Sequence, residues 1–146
     1  MKVRVLLLAL ALCGCDSVPR DQVGTLARIA ESRVARIGVV AGEPPVEAAR
    51  LQALVQRSAA AVGARPQLVS GAAEPLLLML EEGELDLVAG AFDRSSPWRR
   101  RVHLLPPLAT RTVAGSEVET TAAARNGENG WVMVLEREAR ALASPR

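Results

Sequence analysis

The sequence predicts an α/β fold: a single lobe with a mostly parallel sheet flanked by helices. Between residues 34 and 92, three short β-rich runs alternate with two stretches of helical periodicity. The third run, LDLVAGAF at residues 85–92, is almost continuously apolar, which is typical of a strand covered on both faces. Strand, helix, strand, helix, strand with right-handed crossovers builds a parallel sheet between layers of helices.

The start of the chain has the features of a secretion signal. Lys2 and Arg4 precede an apolar run at residues 5–12, which has the length of a signal-peptide core. This run is too short for a transmembrane helix, since spanning a bilayer takes about 20 apolar residues. We therefore expect residues 1–14 to be a cleaved signal peptide.

Residues 12–15, Leu-Cys-Gly-Cys, resemble a lipobox, the processing signal of bacterial lipoproteins. Gly14 provides the small residue before Cys15, whereas Leu12 is too large to stand before a modified Cys13. The resemblance implies that Cys15 is the lipidation site and the first residue of the mature chain. A general secretory signal with two incidental Cys residues is the alternative.

The mature chain is one domain of ordinary size, because about 130 of the 146 residues follow the signal. We divide it into the lipidated Cys, tether and leading helix at residues 15–32 and the lobe at residues 33–146. Of 18 basic residues, Lys2 and Arg4 belong to the signal, which leaves 16 arginines against 16 carboxylates. A neutral chain with one Phe, two Trp and no Tyr gives no electrostatic or stacking basis for binding nucleic acid.

The first elements of the lobe each have a local signal. Apolar spacing predicts the leading helix over residues 21–32, and the run VARIGVV predicts a strand at residues 34–40. Pro45 suits the first turn of the next helix, because its missing N–H leaves no bond unmade there. Gly63 ends that helix, and PQLVS at residues 66–70 predicts the second strand.

The later elements are less regular. A helix over residues 73–82 is apolar all round, which predicts packing on more than one side. After the third strand we expect, in order, a polar loop at residues 93–101 with a helical turn from Pro97, extended segments at 102–105 and 108–114, a loop at 115–130 and a final amphipathic helix capped by Asn129.

Four segments in this order resemble the family 3 extracellular solute-binding proteins, the periplasmic or lipid-anchored receptors of amino-acid transport. They are IAESRVARIGVV, LLLMLEEGELDLVAGAF, SSPWRRRVHLLPPL and GENGWVMVLEREAR, and the likeness covers most of residues 25–145. It implies the type II periplasmic binding fold, a role beside an ABC transporter and a small amino acid or carboxylate as solute. Any other parallel α/β domain is the general alternative. Asp16, after the lipidation site, resembles an inner-membrane retention signal.

The chain departs from this family in length and in one residue. Family members have a second lobe after the third strand, but only about 15 residues separate Ala114 from Asn129, so we expect one lobe closed by the last helix. Trp98 stands where the family places the Arg that binds the solute's carboxylate. Any one of Arg94, Arg99, Arg100 and Arg101 is a candidate to replace it, because a planar guanidinium matches two carboxylate oxygens, and Arg94 and Arg99 are the two that we include in the predicted site. A solvated basic loop is the alternative.

The candidate ligand site lies where the first and third strands end. Carboxyl ends of parallel strands meet at one edge of the sheet, and open α/β sheets bind ligands there. The predicted ligand-binding residues are Glu43 after the first strand and Asp93, Arg94, Ser95, Ser96, Trp98 and Arg99 after the third.

We expect structural roles for the other titratable and aromatic residues that stand out in the sequence. His103 is the only His, so no His-based metal cluster or catalytic triad can be assembled, and we expect it to be partly buried. Asp86 predicts a hydrogen bond in the turn before the third strand. Trp131 is expected in the core, whereas Trp98 is either exposed or folded over its own loop. No cofactor or metal is predicted.

Two functions therefore fit the sequence. The first is a membrane-anchored lipoprotein with a solute-binding-type domain on the periplasmic side. The second is a degenerate receptor lobe that docks an envelope or transporter protein, for which an exposed Trp98 would serve as anchor. An enzyme is not expected, because the catalytic relatives implied by the resemblance need a second lobe or an appended domain.

Overall fold

Helices and strands alternate along the computed structural model, which describes residues 21–143. The predicted signal peptide, Cys15 and the tether lie outside the described residues. No helix within residues 21–143 has the length and apolarity needed to cross a bilayer. In chain order the elements are α1 (Thr25–Ser32), β1 (Val34–Val40), α2 (Pro45–Ala61), β2 (Arg65–Gly71), α3 (Ala73–Glu82), β3 (Leu87–Asp93), a 3₁₀ turn (Pro97–Arg100), β4 (Val102–Leu104), β5 (Ala109–Val113), β6 (Ser116–Arg125) and α4 (Asn129–Ala143).

The strands of the described chain form one six-stranded sheet in the order β2-β1-β3-β6-β4, with β5 also paired to β6. The first three strands are parallel, because α2 and α3 each carry the chain back across the sheet. β6 is antiparallel to β3, β4 and β5. The predicted single α/β lobe is confirmed, but its sheet is mixed where the sequence predicts a mostly parallel one.

β6 is the element that the sequence analysis missed. The loop predicted over residues 115–130 is wrong, because Ser116–Arg125 is a strand of ten residues inserted between β3 and β4. Its middle is Thr120 and Thr121 followed by three Ala residues; Thr favours strands, but Ala does not. Small residues are paired across the ladder here, such as Gly90 with Thr121 and Val88 with Ala123. Packing between two layers of helices thus overrides local preference.

β5 and β6 form a hairpin with a two-residue turn. Val113 and Ser116 are the last cross-strand pair, and Ala114 and Gly115 between them have φ angles of 49° and 85°. Two consecutive residues with positive φ match the twist of hairpin strands. The chain therefore passes straight from β5 back into the sheet.

The core lies on both faces of the sheet. On one face, α1, α2 and α4 cover a cluster that includes Ile37, Leu54 and Trp131. On the other, α3 covers a smaller cluster that includes Leu80 and Phe92. Burying each such side chain contributes about 1.5–3 kcal/mol. The predicted core position of Trp131 is confirmed, since its side chain has no exposed surface.

α3 packs on one side only. It buries Leu76, Leu77 and Leu80, whereas Leu78 is 42% exposed. The prediction that this helix packs on more than one side is wrong, because it is the one helix covering its face of the sheet among the described residues, with solvent beyond it.

The leading helix begins later than predicted, at Thr25 instead of residue 21. Asp21 lies in an antiparallel bridge with Glu128, and Gly24 with φ 79° turns the chain into the helix. The Asp21 carboxylate accepts the Trp131 N–H at 2.9 Å. The cap predicted at Asn129 is not found there, because Asn129 is already the first residue of α4. The Asp21 carboxylate, distant in sequence, instead accepts a backbone N–H of the first turn.

Candidate solute-binding edge

The carboxyl ends of β1 and β3 bring the predicted site residues to one edge of the sheet. β1 ends at Val40 and β3 at Asp93, and the two strands are parallel neighbours. The turn after β1 uses Gly42 at φ 88°, a left-handed conformation that glycine adopts without strain. This turn places Glu43 at the same edge as Asp93.

Glu43 continues the pairing of β1 beyond its last residue. Its Oε1 accepts the N–H of Ala91 at 2.9 Å. The β1–β3 ladder ends at the pair Val39 and Ala89, so this N–H would otherwise have no acceptor from β1. The other oxygen, Oε2, lies 3.6 Å from Nη2 of Arg111. The side chain of Glu43 is largely buried. Its Oε1 has a hydrogen bond, whereas its Oε2 lies beyond hydrogen-bond distance of Arg111.

Asp93 organises the loop after β3. Its Oδ1 accepts the hydroxyl of Ser95 at 2.6 Å and the backbone N–H of Ser95 at 2.7 Å. These two hydrogen bonds, with a weaker one from Ser116, hold the pKa of Asp93 below its ordinary value despite desolvation. Ser96 then accepts a backbone N–H of the 3₁₀ turn at Pro97–Arg100, so the predicted helical turn is confirmed.

The two arginines predicted to bind a solute carboxylate already face carboxylates of β6. Arg94 Nη1 donates to Glu117 at 2.6 Å, and Arg99 donates to Glu119 at 2.9 and 3.1 Å. The hydrogen bond and charge of Glu117, then the charge of Glu119, raise the pKa of Arg94. A solute carboxylate bound here would compete with these partners. Both Arg94 and Glu117 are exposed, so water screens that pair.

Trp98 is half-buried at the end of the same loop. The guanidinium of Arg101 lies 4.1 Å from the centroid of its ring, and Arg101 also pairs with Glu81 of α3. The ring packs against the core cluster beneath α3. Of the two interpretations that the sequence leaves open, the structure supports a Trp folded over its own loop.

Three concavities of the described residues lie along this edge. The first, about 300 Å³, lies between α2 and the sheet and has Glu43 in its wall. The other two, about 360 and 400 Å³, surround the loop after β3 and share Arg94 and Ser95. The structure thus brings most of the predicted loop residues together but gives Glu43 a separate cavity.

Sequence reasoning missed four residues of this edge. Arg111 lies in a segment correctly predicted as extended, but nothing in the sequence connects it to Glu43. Glu117, Glu119 and Thr120 lie in β6, which was predicted as a loop. The alternation Glu-Val-Glu-Thr at residues 117–120 is the signal that indicates a strand there.

His103 and Asp86 have structural partners. His103 is partly buried, as predicted, and its Nε2 lies 2.9 Å from Glu136. The turn hydrogen bond predicted for Asp86 understates its role, because its buried carboxylate accepts the Arg36 N–H at 2.7 Å and pairs with Arg28 at 2.5 Å. Within residues 21–143, no three His, Cys, Asp or Glu side chains are placed to hold a metal ion.

Neither protein-family models nor curated proteins match the sequence, but solved structures match the fold. Domain 1 of the arginine-binding protein TmArgBP from T. maritima, in its arginine-bound form, has a TM-score of 0.66 at 16% identity, covering 79% of this chain and 98% of that one. This chain has the fold of that domain. The predicted type II periplasmic-binding-protein-like lobe is therefore confirmed.

Further structures with this fold are also amino-acid-binding proteins. An ancestral cationic amino acid solute-binding protein, AncCDT-1, has a TM-score of 0.66 at 10% identity, covering 82% of this chain and 93% of its own. A substrate-binding protein of an amino acid ABC transporter from Streptococcus pneumoniae, bound to L-arginine, has a TM-score of 0.63 at 8% identity, covering 81% and 91%. AncCDT-1 is also described as a precursor of cyclohexadienyl dehydratase. The likeness to all of them concerns the fold.

Proposed function

We propose that this chain is a lipid-anchored solute-binding protein of one lobe, which binds a small amino acid or carboxylate on the periplasmic side and serves a membrane transporter. The observation that carries the proposal is the fold shared with domain 1 of TmArgBP, a single domain described in its arginine-bound form. That description of one domain with arginine bound supports amino-acid binding by a single lobe of this fold.

The arrangement of charges supports a binding role for the carboxyl edge. Glu43 and Asp93 provide acceptors there, and Arg94 and Arg99 provide guanidinium groups. An amino acid carries one charge of each sign and needs both kinds of partner. Because no second lobe covers this edge within the described residues, the solute would keep one side in water, and we expect weak binding.

The anchor is the second part of the proposal. Residues 1–14 are removed, Cys15 is acylated, and the lobe stays at the periplasmic face of a membrane, with the inner membrane favoured by Asp16. This part rests on the sequence of residues 12–16.

A thermal-shift screen of the full chain in detergent micelles, against amino acids and small carboxylates, tests the binding role. A bound solute stabilises the folded state by RT ln(1 + [L]/Kd), about 2.7 kcal/mol at a concentration of 100 Kd. We expect a concentration-dependent rise in Tm for one compound class. A cooperative transition whose Tm is unchanged by every compound contradicts the proposal and favours the docking role, for which a co-purified partner would be the next evidence.

A further inference from the structure

Glu43 and Arg111 form an ion pair whose contact is incomplete. The 3.6 Å between Glu43 Oε2 and Arg111 Nη2 exceeds the usual hydrogen-bond distance of about 2.7–3.2 Å. The side chain of Glu43 is 9% exposed and that of Arg111 is 35% exposed, so the carboxylate is largely buried, the guanidinium is partly exposed and neither charge fully satisfies the other. The pair offers a carboxylate and a guanidinium side by side to a ligand that carries both charges.

Two further polar atoms on this face have no hydrogen-bond partner among the described residues. They are the Nε of Arg111 and the hydroxyl of Thr120, and both are buried. Thr120 pairs across the ladder with Ala91, and Val118, the partner of Arg111, is two residues from Thr120. The register therefore places all of them on the face where Glu43 meets Ala91. Because buried polar groups are nearly always hydrogen-bonded, two such atoms together indicate a place for a ligand or ordered water.

The cavity beside Glu43 is mostly apolar. At about 300 Å³ it is at the lower end of the range for small-ligand pockets, roughly 300–1,000 Å³. Its apolar walls are Val39, Val40, Leu51, Val55, Leu68 and Ala89. Among the described residues, Glu43 is the one charged side chain in its lining. Its remaining polar side chains are the amides of Gln52 and Gln56, so the cavity fits an aliphatic group and offers no second charged partner.

We propose that the solute is an aliphatic α-amino acid, with its ammonium group on Glu43, its carboxylate on Arg111 and its side chain in the cavity between α2 and the sheet. The proposal rests on the solute-binding function and names the substrate class of that edge. It moves carboxylate recognition from the loop after β3 to β5, because Arg94 and Arg99 are each hydrogen-bonded to a carboxylate. Arg111, in contrast, lies 3.6 Å from its carboxylate partner and keeps a buried N–H without an acceptor.

Isothermal titration calorimetry on the full chain in detergent micelles tests the substrate class. The probes are leucine, arginine and glutamate, together with 4-methylpentanoate, which lacks the ammonium group, and 3-methylbutylamine, which lacks the carboxylate. We expect leucine to bind at least tenfold more tightly than each of the others. Tighter binding of arginine or glutamate overturns this inference and leaves the proposed function standing. If no amino acid or carboxylate binds, both fail.

Two substitutions test the roles of the paired charges. Arg111→Gln should raise the Kd of leucine at least tenfold and leave that of 3-methylbutylamine within about twofold, because the amine makes no use of Arg111. Glu43→Gln should give the converse result with 4-methylpentanoate. A variant that has merely lost its structure would weaken every ligand alike, and that outcome for both variants overturns the assignment of the two groups.

Arg57→Gln is the matched control. Arg57 lies in α2, pairs with the carboxylate of Glu138 at 2.9 Å and does not line the cavity. It should leave the Kd of leucine within about twofold. Arg99→Gln tests the alternative that the loop after β3 binds the carboxylate of the solute. If Arg99→Gln weakens leucine binding tenfold and Arg111→Gln does not, the loop after β3 holds the carboxylate and the inference is wrong.

Discussion

Two buried carboxylates, those of Asp86 and Glu128, hold several elements together. They lie at the amino edge of the lobe, which is the edge of the sheet where the parallel strands begin. The side chain of Asp86 has no exposed surface, and it joins β1 and α1 through Arg36 and Arg28. Its backbone carbonyl accepts the indole N–H of Trp131 at 2.9 Å. Asp86, in the turn before β3, therefore connects β1, α1 and α4. Local sequence patterns do not indicate these long-range contacts.

Glu128 has a similar role between α1 and α4. Its carboxylate accepts the N–H of Val23 at 2.7 Å and of Thr25 at 2.8 Å. Desolvation by itself would raise the pKa of Glu128, but the hydrogen bonds from Thr25 and Val23 and the charge of Arg125 outweigh it and lower the pKa below 4.5. As pH falls, Glu128 therefore takes up its proton more readily in the unfolded state than in the folded state. The free energy of unfolding decreases over that pH range.

We expect Glu128→Gln to lower the free energy of unfolding at neutral pH by about 1–3 kcal/mol, because the amide loses one acceptor and the charge that favours two N–H donors. The stabilisation by Glu128 is present above about pH 4.5 and disappears as pH falls through its lower folded-state pKa, so the gap between the two proteins should shrink there. Urea unfolding at pH 7 and at pH 4 measures this. An equal gap at both pH values would show that the charge of Glu128 is not the cause.

Secondary-structure elements show which parts of this fold are local in origin. β1 and α3 have the bounds predicted from sequence, because apolar periodicity, Gly and Pro signals act over a few residues. β6 was missed because its Thr and Ala residues are buried only by distant partners. The candidate edge was predicted from the parallel strands, but the proximity of Arg111 to Glu43 depends on β6 lying between β3 and β5, so it could not be predicted.

The β5–β6 hairpin makes an element-scale prediction. A Cβ at Gly115 would meet no atom within 4 Å, so Gly115→Ala changes only backbone strain and should lower stability by about 1 kcal/mol. Ala114→Gly should have the opposite sign, about 0.5 kcal/mol stabilising, because it relieves a left-handed Ala. The control Ala60→Gly in α2 should destabilise by about 1 kcal/mol. Denaturant midpoints measure all three, and destabilisation by Ala114→Gly would contradict the turn geometry.

At the scale of the whole molecule, the first described residue, Asp21, and the candidate site lie at opposite edges of the sheet. Asp21 pairs with Glu128 just after the end of β6, at the edge where the parallel strands begin. Glu43 and Asp93 lie where those strands end. Residues 16–20 span at most about 18 Å when fully extended. With a lipid on Cys15, the amino edge is therefore the one held near the bilayer, and the candidate site is held away from it.

The anchor is tested by Cys15→Ser, which removes the thiol that would carry the lipid. We expect this variant to move from the membrane fraction to the soluble periplasmic fraction. Cys13→Ser is the matched control, since Cys13 would leave with the signal, and it should stay in the membrane fraction. Fractionation followed by immunoblotting distinguishes the outcomes, and membrane retention of the Cys15→Ser protein would contradict lipidation at this residue.

The two-residue turn at Ala114 and Gly115 has a consequence for the time that a solute stays bound. A receptor that closes around its ligand adds a conformational step on the microsecond to millisecond timescale, and reopening then limits release. Within residues 21–143, β5 returns directly as β6, so a solute bound as proposed would leave this part of the chain without a rigid-body movement. Under the proposed function, encounter and departure would be a single step, and the contacts at the edge would set the residence time. Occupancy would follow the surrounding solute concentration without delay.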